Sequence, residues 1–174
     1  LELAYMALAR VFYEVGAYDV ALFYYQKLPR DSSRYAQALF ETAWTYTIKN
    51  DFKRALGTFH TLHSPYYDQW YFPDLYVLEA TVYLNLCQFD YSKQALAELQ
   101  QKYLDKRPRL KKFLQETNQP KNYWKTLTKA YDEDGETDSE KLPDRFVNAV
   151  LDDIAFYNIY KKIRALRRER QALQ

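Results

Sequence analysis

Two histidines, His60 and His63, stand three positions apart, the spacing at which one helical turn brings two imidazoles to one side and within reach of a single metal ion. A stable site needs further ligands, and nothing nearby supplies a third, so the pair reads as solvated or partly packed. The one cysteine, Cys87, cannot close an intramolecular disulfide and reads as a small buried hydrophobe. From Asp132 to Asp144 seven acidic residues face one lysine. A calcium loop starting at Asp132 would need glycine at its sixth place and glutamate at its twelfth, where the chain has Thr137 and Pro143. That segment is therefore expected to be an exposed loop. With no glycine-rich phosphate loop, no nucleophile elbow and no CxxC pair, the residue types give no catalytic constellation. Neither an enzyme nor a cofactor or small-molecule substrate is expected.

A second charged cluster lies in the last turns, where Lys161, Lys162, Arg164, Arg167, Arg168 and Arg170 surround the single acid Glu169. Such a cluster can meet an acidic partner, anionic headgroups or phosphates. Cations near a helix C-terminus also complement its dipole without any ligand. The formal net charge of the chain is only +2, so no overall field steers it towards nucleic acid, which is not an expected partner. Contact of the tail with an anionic membrane surface is kept as an alternative.

The elements that must position these groups are helices. Hydrophobic residues make up 48% of the chain and aromatics 18%, enough for a core, while only three glycines appear in 174 residues. Every apolar run is broken before the ~18 residues a membrane-spanning helix requires. The chain begins at Leu1 inside a helical pattern, which reads as a piece of a longer protein.

Within the first ~60% of the sequence one spacing recurs. Ala9, Phe12, Gly16, Tyr18, Ala21, Tyr25 and Leu28 are matched 34 residues later by Ala43, Tyr46, Asn50, Phe52, Ala55, Phe59 and Leu62. Ala80, Tyr83, Cys87, Phe89, Ser92, Leu96 and Leu99 repeat the set after three extra residues. Small residues suit the crossing of two helices, and large ones suit the contact of one hairpin with the next. Gly16 and Asn50 suit the left-handed conformation that ends a helix, and Cys87 suits it less.

On these three sets the chain resembles the tetratricopeptide repeat family over residues 2–104. The family's late proline is displaced here: Pro29 and Pro65 come early and Pro108 late. The stretches KLPRDSSRYAQALFETAWTY and SPYYDQWYFPDLYVLEATVY are similar to cell-envelope tetratricopeptide proteins of deltaproteobacteria, including components associated with gliding motility. The resemblance implies an all-α fold, an α-solenoid of three hairpins over about 2–35, 36–69 and 73–104. Irregular capping helices are expected over 105–133, an acidic loop over 134–143, and a long amphipathic, basic helix over 144–174 with Asp144 as its N-cap. It also implies a non-catalytic scaffold or adaptor of a bacterial periplasm or outer membrane, holding a protein or peptide in a concave groove.

Carried over by the motif, the groove would be lined by Met6, Arg10 and Tyr13, then Gln37, Phe40, Trp44 and Thr47, then Asp74, Val77 and Thr81. Only Arg10 among them is basic, so the carboxylate-clamping ligand of the family is not expected. Phe40 and Trp44, one helical turn apart, are either partner anchors or are covered by another part of the chain, such as the C-terminal helix. The aromatic connection around Tyr66, Tyr67, Trp70, Tyr71 and Phe72 is either a recognition surface or a plug for the gap left by the insertion. The rival to a groove-binding module is a structural piece that oligomerises through the C-terminal helix, where Phe156, Ile159, Ile163, Leu166 and Leu173 follow three- and four-residue steps broken by Arg170.

Overall fold

The computed structural model describes residues 1–116, 122, 124, 146, 149–150 and 153–172; the acidic segment, the calcium-loop positions and Asp144 lie outside the described residues. Among the described residues the fold is all-helical, without a strand. The elements are α1 (Glu2–Glu14), α2 (Tyr18–Tyr25), α3 (Tyr35–Ile48), α4 (Phe52–Leu62), α5 (Pro73–Asn85), α6 (Phe89–Lys102), α7 (Arg107–Glu116) and α8 (Ile154–Ala172). Two compact units are present, one of residues 1–68 and 72–105, the other of 69–71 and 106–174.

In the first unit the helices pack in sequential pairs, α1 on α2, α3 on α4 and α5 on α6, and each pair touches the next through α2 with α3 and α4 with α5. Three connections of equal length make the pairs. Gly16, Asn50 and Cys87 all have positive φ, at 77°, 58° and 56°. At each, two amide groups turn back to the preceding helix: Gly16 to Tyr13 and Ala17 to Phe12, Asn50 to Thr47 and Asp51 to Tyr46, Cys87 to Leu84 and Gln88 to Tyr83, all at 2.8–3.0 Å. This is the Schellman closure, which satisfies helix-end carbonyls and reverses the chain. Cys87 is thus not the buried hydrophobe expected; it is exposed and occupies the left-handed turn position. Its backbone role outweighs its side chain.

The recurring small residues lie at the helix crossings. Ala9, Ala21, Ala43 and Ala55 are fully buried, and Ala80 and Ser92 nearly so. Tyr25, Leu28, Phe59 and Leu62 fill the space between pairs. Asp51 caps α4 by accepting a bond from the Arg54 amide.

In the second unit Pro108 sits in the first turn of α7, where its missing N–H costs nothing. Phe113 is buried there while Leu114 is 57% exposed. Trp124 rests against Phe156 and Tyr160, with ring centroids 5.5 and 5.9 Å away, and Tyr71 meets Phe146 at 5.4 Å. The single helix expected from residue 144 is interrupted. Phe146, Ala149 and Val150 are helical, but Asp153 is not, and its carboxylate accepts the Phe156 amide at 2.8 Å to start α8. An aspartate side chain competes for backbone amides, which makes it a better N-cap than a helix-interior residue.

Candidate functional site

The residues expected to share one surface divide into three groups. Met6 and Thr47 are buried and line no surface. Met6 belongs to the core with Ala9, Ala21, Tyr25, Leu28 and Ala38, and the Thr47 hydroxyl donates to the Ala43 carbonyl at 2.9 Å. The Cβ direction of a helical residue decides such matters, and one position of error turns a side chain inward.

Arg10 and Tyr13 are held by neighbours. The Arg10 guanidinium donates from Nε to Glu41 Oε2 at 2.9 Å and from Nη2 to Oε1 at 2.5 Å, and the Tyr25 hydroxyl donates to Oε2 at 2.9 Å. This knot ties α1, α2 and α3 together. Burial, and then the Glu41 charge, push the Tyr25 phenol far above its ordinary ionisation range. Hydrogen bonding to Glu41 holds Arg10 protonated even more firmly. Burial likewise raises Tyr13, offset in part by the bond it receives from the Trp44 indole.

Phe40 and Trp44 meet edge to face at 6.3 Å, and Phe40 is stacked on Phe72 at 5.1 Å with 12° between the rings. Phe40 is therefore half-covered from within the chain, by the last aromatic of the connection that precedes α5. Trp44 keeps 38% of its surface exposed. Gln37, Asp74, Val77 and Thr81 are exposed as well, Val77 at 47%, with the Thr81 hydroxyl turned back onto the Val77 carbonyl. The structure thus brings Tyr13, Trp44, Phe40 and Phe72 into one aromatic run across α1, α3 and the start of α5. Elsewhere in the connection Tyr66 and Tyr71 are exposed, while Tyr67 and Trp70 are half-buried.

Of the basic tail, Lys161, Lys162, Arg164 and Arg170 are exposed on α8, and the side chains of Arg167 and Arg168 lie outside the described residues. The two histidines have different surroundings. His60 is exposed, whereas His63, at the C-cap of α4, meets Glu79 of α5 at 2.7 Å. Among the described residues no three metal-ligating side chains converge. No described helix is long and apolar enough to cross a membrane.

Sequence reasoning missed Glu41 and Glu79. A signal existed for the first: Glu41 is the only charge in α3, and a carboxylate inside an apolar helix requires a partner. For Glu79 the signal lay in His63, whose imidazole was weighed only against His60. No family model, curated protein or solved structure matches this chain.

Proposed function

We propose that the first unit is a tetratricopeptide-like solenoid, a non-catalytic protein-binding scaffold whose first helices α1, α3 and α5 present a surface to a partner segment, probed most directly at Trp44. The single observation that carries this reading is the exposure of Trp44 in a run of touching aromatics. Tryptophan is highly buried on average, and with tyrosine and arginine it is enriched among the residues that anchor protein interfaces. Val77, exposed on α5, extends the apolar surface, and Gln37, Asp74 and Thr81 give it a polar rim of the kind interfaces carry. The solenoid arrangement is supported by the three matching helix ends and by the packing of each pair on the next, α2 on α3, then α4 and α3 on α5.

Selection of a displayed random peptide library on the folded chain tests the reading. Selected peptides should bind the native chain, lose at least tenfold in affinity to Trp44→Ala or Val77→Glu, and leave the helical circular dichroism of both variants unchanged. Peptides that bind both variants as well as the native chain contradict it.

A second reading is favoured by α8, where Ile159 and Leu166 lie seven residues apart and are 55% and 64% exposed. A heptad step is the coiled-coil repeat, so this helix can pair with another copy. Light scattering of the chain with and without residues 144–174 separates the readings. A concentration-independent monomer in both forms removes the second.

A further inference from the structure

A cleft of about 350 Å³ opens between α4, α5 and α6 of the first unit, at the small end of the roughly 300–1,000 Å³ range of ligand sites. It lies on a different side of α5 from the surface proposed above. Glu79 and Tyr83 face the cleft, two residues on from Val77 and Thr81, and two helical positions rotate a side chain by about 200°.

Its wall on α6 is a stripe of Tyr91, Gln94, Glu98 and Lys102, spaced by single helical turns. Opposite Tyr91, the Tyr83 ring stacks at 5.3 Å with 26° between the planes. Burial, and then the nearby Glu79 carboxylate, raise the Tyr83 phenol, so its ring stays a neutral π face at ordinary pH. The carboxylates are placed unequally. Glu79 is bonded to His63. Glu98 is half-buried, and among the described residues only the Gln94 amide is within hydrogen-bond reach of it, at 3.5 Å.

Lys102, four residues on, is the cation that would ordinarily neutralise Glu98 along the helix. It is turned away: its ammonium donates to the Tyr76 hydroxyl at 2.8 Å and lies over the Tyr76 ring, 4.0 Å from Asp68. Among the described residues Glu98 thus forms no ion pair, although Lys102 shares the cleft, and it stands two turns from Tyr91. His63 adds positive charge only when protonated.

We propose that this cleft is a binding site for an arginine side chain of a protein partner, its guanidinium forked onto Glu98 and its alkyl stem laid along the cleft towards Tyr91. The chemistry favours arginine over lysine, because the planar fork matches a carboxylate with two parallel bonds. Tyr91 is 57% exposed, so the ring is open to the apolar stem. An extended segment suits the site better than a free amino acid, since the α6 stripe runs three turns, about 16 Å at 1.5 Å per residue. This site does not depend on the Trp44 surface.

The test is a nuclear magnetic resonance titration of the full chain with a nine-residue serine and glycine peptide carrying one central arginine. Parallel titrations use the same peptide with citrulline, the same with lysine, and N-acetylarginine amide. Saturable shifts at Tyr91 and Glu98 with the arginine peptide are expected. Affinity should fall at least tenfold with citrulline or with N-acetylarginine amide, and severalfold with lysine. Glu98→Gln, near the surface and checked for native spectra, should weaken the arginine peptide at least tenfold and Tyr91→Ser severalfold, while Trp44→Ala leaves it unchanged. Equal binding of arginine and citrulline peptides, an unaltered titration with Glu98→Gln, or loss of binding with Trp44→Ala overturns the proposal.

Discussion

The second and third hairpins are built from the same spacing of residues, yet they bury different amounts of it. Phe59 on α4 is fully buried, whereas its counterpart on α6, Leu96, is 46% exposed. Phe52 is half-buried, and its counterpart Phe89 is 58% exposed. Leu62 is buried and Leu99 only half so. The local structure is nonetheless the same in both, down to the two hydrogen bonds that close each first helix. A repeat therefore dictates its own turn and its own crossing, while burial of its outer positions comes from the helix that follows. In the second hairpin that helix is α5, which packs on α4. Stability in such an array is a sum of unit and neighbour terms, and the two hairpins separate the terms.

The largest predicted difference tests this separation directly. Phe59→Ala should cost about 3–5 kcal/mol, because a fully buried ring leaves a cavity that its neighbours only partly fill. Leu96→Ala should cost under about 1 kcal/mol, as for a surface position. Midpoints of urea unfolding measure both, and equal losses would break the comparison.

A smaller effect is expected at Tyr25, the first hairpin's counterpart of Phe59. Tyr25→Phe keeps the packing and removes the bond to Glu41, a loss of about 1–2 kcal/mol near neutral pH, since the acceptor is charged. The sign with pH follows from the raised ionisation of this phenol in the fold. The folded chain keeps a proton that the unfolded chain releases above about pH 10, so the native contribution is complete below that pH and is lost as pH rises. The deficit of Tyr25→Phe relative to the native chain should therefore narrow above about pH 10 in thermal melts. A constant deficit up to pH 11 would contradict it.

The smallest effect distinguishes the turns. Cys87→Gly should stabilise by about 0.5–1 kcal/mol, because a Cβ is penalised at positive φ and glycine is not. Asn50→Gly should gain less, as asparagine tolerates that conformation. Chemical denaturation of the two variants, side by side, orders them.

Much of the first unit was legible in the sequence, because each recurring residue reports a local demand. Alanine marks a crossing, glycine or asparagine a left-handed turn, and an aromatic a contact between pairs. The third turn was harder to read, since Cys87 occupies a conformation its side chain does not favour. The surface was legible only in part. The carry-over from the family motif placed Trp44, Val77 and Thr81 outward, but it also placed Met6 and Thr47 there, and both are buried. Their inward turn depends on how α1 and α3 lean on their neighbours, which no single-helix pattern contains. Phe72 lay outside the repeat, so its stacking on Phe40 had no periodic signal. The break at Asp153 carried no signal in the apolar period, which runs through it from Val150 to Ile154.

Hydroxyl-radical footprinting with a library-selected peptide tests the proposed binding surface most directly. Oxidation of Trp44 should fall severalfold on binding, while oxidation of Tyr157 on α8 stays constant. Unchanged oxidation of Trp44 under saturating peptide, with protection appearing on α8 instead, would contradict the assignment of the partner surface to α1, α3 and α5.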